Sequence, residues 1–197
     1  MNSAPQRTIT HGPTAIRMLD AAERLVQTMG FNWFSYADIA EELGIRKASL
    51  HHHFPSKAAL GRALIERYTA QFDGFLQEIG KSNHDAAGKL ARYVKLYSEV
   101  LRSERICLCG MLAAEFSSLP ESMQDGIRAF FDLNEKWLAQ VVTEGRRAGI
   151  FHSRGSAKDT ARMLLSSLEG AMLVARPYKD VNRFAAAAEQ ILRSVRG

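Results

Sequence analysis

Residues 39–54 read IAEELGIRKASLHHHF, and this run constrains the fold more than any other part of the chain. Gly44 separates two short amphipathic stretches. A link that tight needs a backbone with positive φ, which glycine adopts without a Cβ clash. Two helices joined in this way cross closely, so a small residue must stand where they touch. Ala40, four residues ahead of the glycine, supplies it, and Ile39, Leu43, Ile45 and Leu50 supply the shared apolar contact. The spacing is that of a helix-turn-helix, whose second helix reads the DNA major groove.

Charge around the run agrees with that reading. Arg46, Lys47, Lys57, Arg62 and Arg67 lie within 22 residues, opposed there by Glu66 alone. A basic block beside a reading helix says more about nucleic acid than the formal net charge of +5 over 197 residues. His51, His52 and His53 follow one another, but neighbours on a helix point about 100° apart and do not converge on one ion, so no metal site is expected. No cofactor motif is present either.

The rest of the chain reads as helix, giving an all-α fold. Pro13-Thr14 opens a first helix, with Ala15, Leu19, Ala22, Val26 and Met29 on one face and Gly30 at its end. Ser35 and Asp38 form a capping box for a helix over 36–43. A third helix covers 46–53, and Ser56 caps a long fourth one over 57–80. Further helices are expected near 84–102, 105–117, 121–148, 156–175 and 181–195. The segment 121–148 carries an apolar stripe of Ile127, Phe130, Phe131, Trp137, Leu138 and Val141.

Composition excludes several classes. With 46% hydrophobic and 24% charged residues the chain is not intrinsically disordered. No run approaches 18 apolar residues, so no membrane span is expected. The start MNSAPQRTITHGP lacks the apolar core of a secretory signal, and Cys107 and Cys109 cannot build a disulfide framework. Both point to the cytoplasm. A Cys/His enzyme would need a nucleophile elbow, phosphate loop or zinc motif, and none appears. A helical ligand-binding or scaffold protein with a vestigial DNA module is the other alternative; the intact set Arg46, Lys47 and Lys57 argues against it.

The run FSYADIAEELGIRKASLHHHFPSKAAL resembles the DNA-binding segment of the TetR/AcrR repressors. The preceding helix, with Ile16, Leu19, Ala21, Ala22 and Gly30, fits as well, and the resemblance covers roughly residues 14–65. It implies an N-terminal three-helix DNA-binding domain at 1–56 and a larger C-terminal helical ligand-binding and dimerisation domain at 57–197. It implies that Ser35 and Tyr36 touch phosphate and that Arg46, Lys47 and Ala48 face base edges. Ser49, His53 and Lys57 would then hold phosphates. His51 stands where the family commonly has tyrosine, so that contact would be made differently. The residue chemistry agrees independently: Arg and Lys donate to guanine O6 and N7, and Ala48 suits a thymine methyl.

The same resemblance implies a homodimer built by the last two helices, a roughly palindromic double-stranded operator, and release by a small-molecule inducer. The stripe Leu164, Leu168, Ala171 and Met172 suits either the dimer seam or the chain's own core. Pocket positions would be Phe72, Tyr97, Cys107, Met111, Phe116 and Trp137. The segment ERICLCGMLAAEF resembles the corresponding helix of repressors that respond to thiol-reactive electrophiles, with Cys107 at the sensing position. Near a helix start and close to Arg102 and Arg105, its thiolate is expected to be favoured.

Overall fold

The computed structural model describes residues 11–196. The described chain is helical throughout: α1 (Pro13–Met29), α2 (Tyr36–Leu43), α3 (Lys47–His53), α4 (Lys57–Lys81), α5 (Ala86–Arg102), α6 (Leu108–Ala114), α7 (Glu121–Arg147), α8 (Ala157–Ala175) and α9 (Val181–Arg196). One-turn 3-10 helices follow α6 at Phe116–Ser118 and α8 at Arg176–Tyr178.

Local chemistry accounts for most boundaries. Gly30 (φ 102) ends α1. The side chains of Ser56, Asp85 and Ser156 accept from backbone N–H groups at the starts of α4, α5 and α8. The helix expected over 105–117 is shorter at both ends. Ile106 and Cys107 stay outside α6 because the Ile106 N–H docks on the Gln27 carbonyl of α1 (3.4 Å), and Glu104 turns through a left-handed conformation (φ 58). Met29 and Ile16, read as part of the α1 pattern, are exposed.

Helices α1, α2 and α3 pack as one unit, with Met18, Leu19, Ile39 and Leu50 fully buried between them. Helix α4 runs out of this unit and packs on α1, α5, α6 and α7, while α8 lies between α7 and α9. Arg67 fastens α4 to α1 through Asp20 and Glu23, both at 2.7 Å. The middle of the larger body is aromatic: Tyr68, Phe72 and Tyr93 surround Phe130 and Trp137, with ring centroids 5.2–6.2 Å apart. Its polar atoms are satisfied in a chain. The Tyr93 hydroxyl donates to Asn134 Oδ1 (2.8 Å), and Asn134 Nδ2 donates to the Phe130 carbonyl (2.8 Å).

Candidate nucleic-acid interface

Helix α2, which leads into the turn before α3, is fixed at both ends. Ser35 Oγ accepts from the Ala37 N–H (3.1 Å), and the Ser35 N–H donates to Asp38 Oδ2 (2.6 Å), completing the capping box. Those bonds from Ser35 hold the Asp38 carboxyl below its ordinary range. At the other end of α2, Gly44 sits in the left-handed region (φ 63, ψ 36), and the Ile45 N–H reaches back to the Ala40 carbonyl (3.0 Å). Arg46 then precedes α3 in extended backbone. Leu50 anchors α3 with no exposure, so Arg46, Lys47 and Ala48 are presented to solvent at its N-terminal end. Lys47 and His51, four residues apart, share a face. Ser49 is half-buried, while His51, His52 and His53 are exposed.

Two expected phosphate contacts are otherwise engaged. Tyr36 is buried, and its hydroxyl donates to the Phe54 carbonyl (2.8 Å), strapping the end of α3 to the start of α2. Burial pushes this phenol up to about 12. Lys57 folds back as well. Its Nζ donates to the Phe34 carbonyl and lies 4.7 and 4.4 Å from the ring centroids of Phe31 and Phe34, and burial lowers its pKa. Each side chain is a strut of the helix-turn-helix. Arg67, counted in the basic block, is likewise spent on α1 carboxylates.

Of the expected pocket residues, Phe72, Tyr97 and Cys107 are buried and Trp137 is half-buried, with its Nε1 donating to the Leu76 carbonyl (3.0 Å). Met111 is half-buried on α6. Phe116 lies apart, 5.0 Å beneath the Arg128 guanidinium. Two cavities lie elsewhere. One, about 940 Å³, runs along the outer face of α7 and the start of α8; the other, about 580 Å³, opens where α1 meets the α5–α6 and α8–α9 links.

Glu169 escaped the sequence reading. Its Oε1 accepts from the Tyr97 hydroxyl (3.2 Å), and burial raises its carboxyl to about 7, against the lowering effect of bonds from Cys107 and Tyr97. An acid inside the apolar series Leu164, Leu165, Leu168, Met172 was the available signal. Its neighbourhood corrects the expectation for Cys107. Burial first, then the Glu169 charge, pushes that thiol well up, so the thiolate is disfavoured despite the helix start. The seam residues need a correction too. Leu164, Leu168 and Met172 have at most 1% exposure and belong to the chain's own core, with Ala171 half-buried beside them. Met163, Leu173 and Val174 form the apolar face that α8 leaves exposed.

A short reading helix, aimed outward by a capped turn and carried on an all-helical body, defines a helix-turn-helix DNA-binding protein. The model for bacterial regulatory proteins of the tetR family matches residues 18–64, and that for the tetracyclin repressor-like C-terminal domain matches 86–191. The chain belongs to the TetR family. It is a DNA-binding transcriptional regulator and not an enzyme, in a family that binds operators and typically acts as dimers with small-molecule ligands. It is 26% identical to the HTH-type transcriptional regulator UidR of Escherichia coli K12 over 199 residues, 94% of this chain and 92% of that one. It is 28% identical to the HTH-type transcriptional repressor NemR of the same strain over 176 residues, 85% and 86% of the two chains. A crystal structure of a TetR-family regulator from Agrobacterium tumefaciens matches with a TM-score of 0.89 and 33% identity, covering 93% of this chain and 97% of that one. Among the described residues no helix is long and apolar enough to cross a membrane.

Proposed function

We propose that this regulator is a homodimeric repressor that holds a palindromic operator through α3 and lets it go when a small-molecule inducer enters the helical body. The observation that carries the reading is the exposed Arg46–Lys47–Ala48 end of α3, unpaired with any acid among the described residues and held rigid by Gly44 and the Tyr36 strap. Arg46 and Lys47 read base edges and Ala48 meets a thymine methyl. Ser35, Ser49, His51 and His53 hold phosphates, joined by free backbone N–H groups at the start of α4 in place of the Lys57 ammonium. The DNA-binding domain is residues 1–56, and residues 57–197 bind ligand and dimerise.

The dimer seam of this proposal is the exposed side of α8, with Met163, Gly170, Leu173 and Val174, together with α9. Apolar side chains flanking a glycine let two helices approach closely and bury otherwise wet surface. The inducer site is the region of Tyr97, Cys107, Met111 and Glu169 around α6. Bulk added there by a bound ligand bears on α6. Just beyond the end of α6, the Glu115 carboxylate accepts from the Phe31 and Asn32 N–H groups (3.0 and 3.2 Å) in the α1–α2 turn. That link supports a route from the inducer region to the reading helix.

A DNase I footprint on DNA flanking the gene tests the reading. The expected result is a protected inverted repeat whose half-sites lie about one helical turn apart or somewhat more. Protection of a single asymmetric site, or none, would contradict it.

A further inference from the structure

The cavity of about 580 Å³ beside α1 is crowded with positive charge. Arg24 and Thr28 of α1 form its floor. One wall is residues 101–105, the end of α5 and the link to α6. The other is the end of α8 and the link to α9. Five cations line it (Arg24, Arg102, Arg105, Arg176 and Lys179), against Glu104 and Asp180. Few of these charges are neutralised. Arg24 pairs with Glu42. Arg176 donates to a neutral group, the Thr28 carbonyl. Asp180 is occupied in accepting from the Asn182 N–H (2.9 Å). Arg102 and Arg105 make no ion pair among the described residues.

The mouth of the cleft is strained and weakly closed. Glu104 (φ 58) and Lys179 (φ 50) are the two non-glycine residues with left-handed backbone among the described residues, and they stand on opposite walls. Such conformations persist where the surroundings impose them, and they cluster at functional sites. The Lys179 and Glu104 side chains face each other at 3.5 Å, with 74% and 71% exposure respectively, a pair that water screens and a stronger anion can displace.

We propose that this cleft binds a small polyvalent oxyanion, a phosphorylated or polycarboxylate metabolite, as an effector site separate from the inducer region. Guanidinium forks on facing walls match phosphate and carboxylate oxygens in pairs, and the volume admits a metabolite rather than a lone ion. Such an anion replaces Glu104 as the partner of Lys179 and brings Arg102 and Arg105 onto the same group. The cleft walls also grip α1, through Arg176 on the Thr28 carbonyl and the Ile106 N–H on the Gln27 carbonyl. Occupancy therefore bears on the helix against which α2 and α3 pack.

Titration calorimetry with sodium pyrophosphate, without DNA and at constant ionic strength, tests this independently of the operator reading. Wild type and the reading-helix variant Arg46→Ala/Lys47→Ala are expected to bind alike. Arg102→Gln/Arg105→Gln is expected to bind at least about tenfold more weakly, from the loss of charge-assisted bonds. Lys179→Gln, on an exposed link, provides the same comparison should the double variant melt early. No saturable binding by the wild type, undiminished binding by the cleft variants, or equal loss in the reading-helix variant overturns the assignment.

Discussion

The double substitution Arg46→Ala/Lys47→Ala is expected to weaken operator binding at least about 30-fold, since each base-edge contact is worth about 1–3 kcal/mol. The fold should not notice. Both side chains are exposed, and Arg46 makes no capping bond at the start of α3. Surface changes of this kind shift stability by about 0.5 kcal/mol or less. Fluorescence anisotropy on the footprinted duplex and a urea melt of each protein separate the two effects. Undiminished affinity in a folded double variant would remove α3 from the interface.

The second large effect concerns Glu169 and depends on pH. Its carboxyl ordinarily titrates near 4.5 and is raised to about 7 in the folded chain, chiefly by burial. Below 4.5 the folded and unfolded chains both hold the proton. Between 4.5 and 7 the unfolded chain gives it up while the folded chain keeps it, so stability falls as pH rises, and the loss is complete above 7. Glu169→Gln carries no such liability. It is expected to be more stable than the wild type by about 2–3 kcal/mol at pH 8, partial solvent access to the residue trimming the full value, with the gain narrowing to below about 1 kcal/mol at pH 5. Burial keeps Tyr97 and Cys107 protonated across this range, so the slope belongs to Glu169. Urea midpoints at the two pH values measure it, and a difference that does not vary with pH would contradict the account.

What the sequence made legible was local. Gly44 in its left-handed turn, the Ser35–Asp38 box and the boundaries of α2 depend on residues within four positions of each other, and sequence order alone exposes them. Lys57 and Arg67 were legible as charges but not as struts. Their partners, the Phe34 carbonyl and the Asp20 and Glu23 carboxylates, are more than 20 residues away and are brought close by the packing of α4. Helix α8 failed for another reason. It is apolar on two faces, and periodicity finds the stripe of Leu164, Leu168 and Met172 as readily as that of Met163, Leu173 and Val174 without saying which faces the core. Glu169 and Cys107 show the same limit in electrostatics. The proximity of Arg102 and Arg105 in sequence implied a reactive thiolate, whereas burial beside an acid from α8 sets the opposite sign. The late start of α6 depends on a single contact with the Gln27 carbonyl, which no local pattern encodes.

Sequence-specific, phosphate-dependent DNA binding by the intact chain is the central claim. It is tested most directly by anisotropy with the footprinted duplex and a scrambled duplex of equal length and composition, titrated from about 50 to 200 mM salt. The account predicts a preference for the true site of at least about 1,000-fold near physiological salt. It also predicts a linear fall of log affinity with log salt for both duplexes. Equal affinity for the two duplexes, or affinity indifferent to salt, would contradict it.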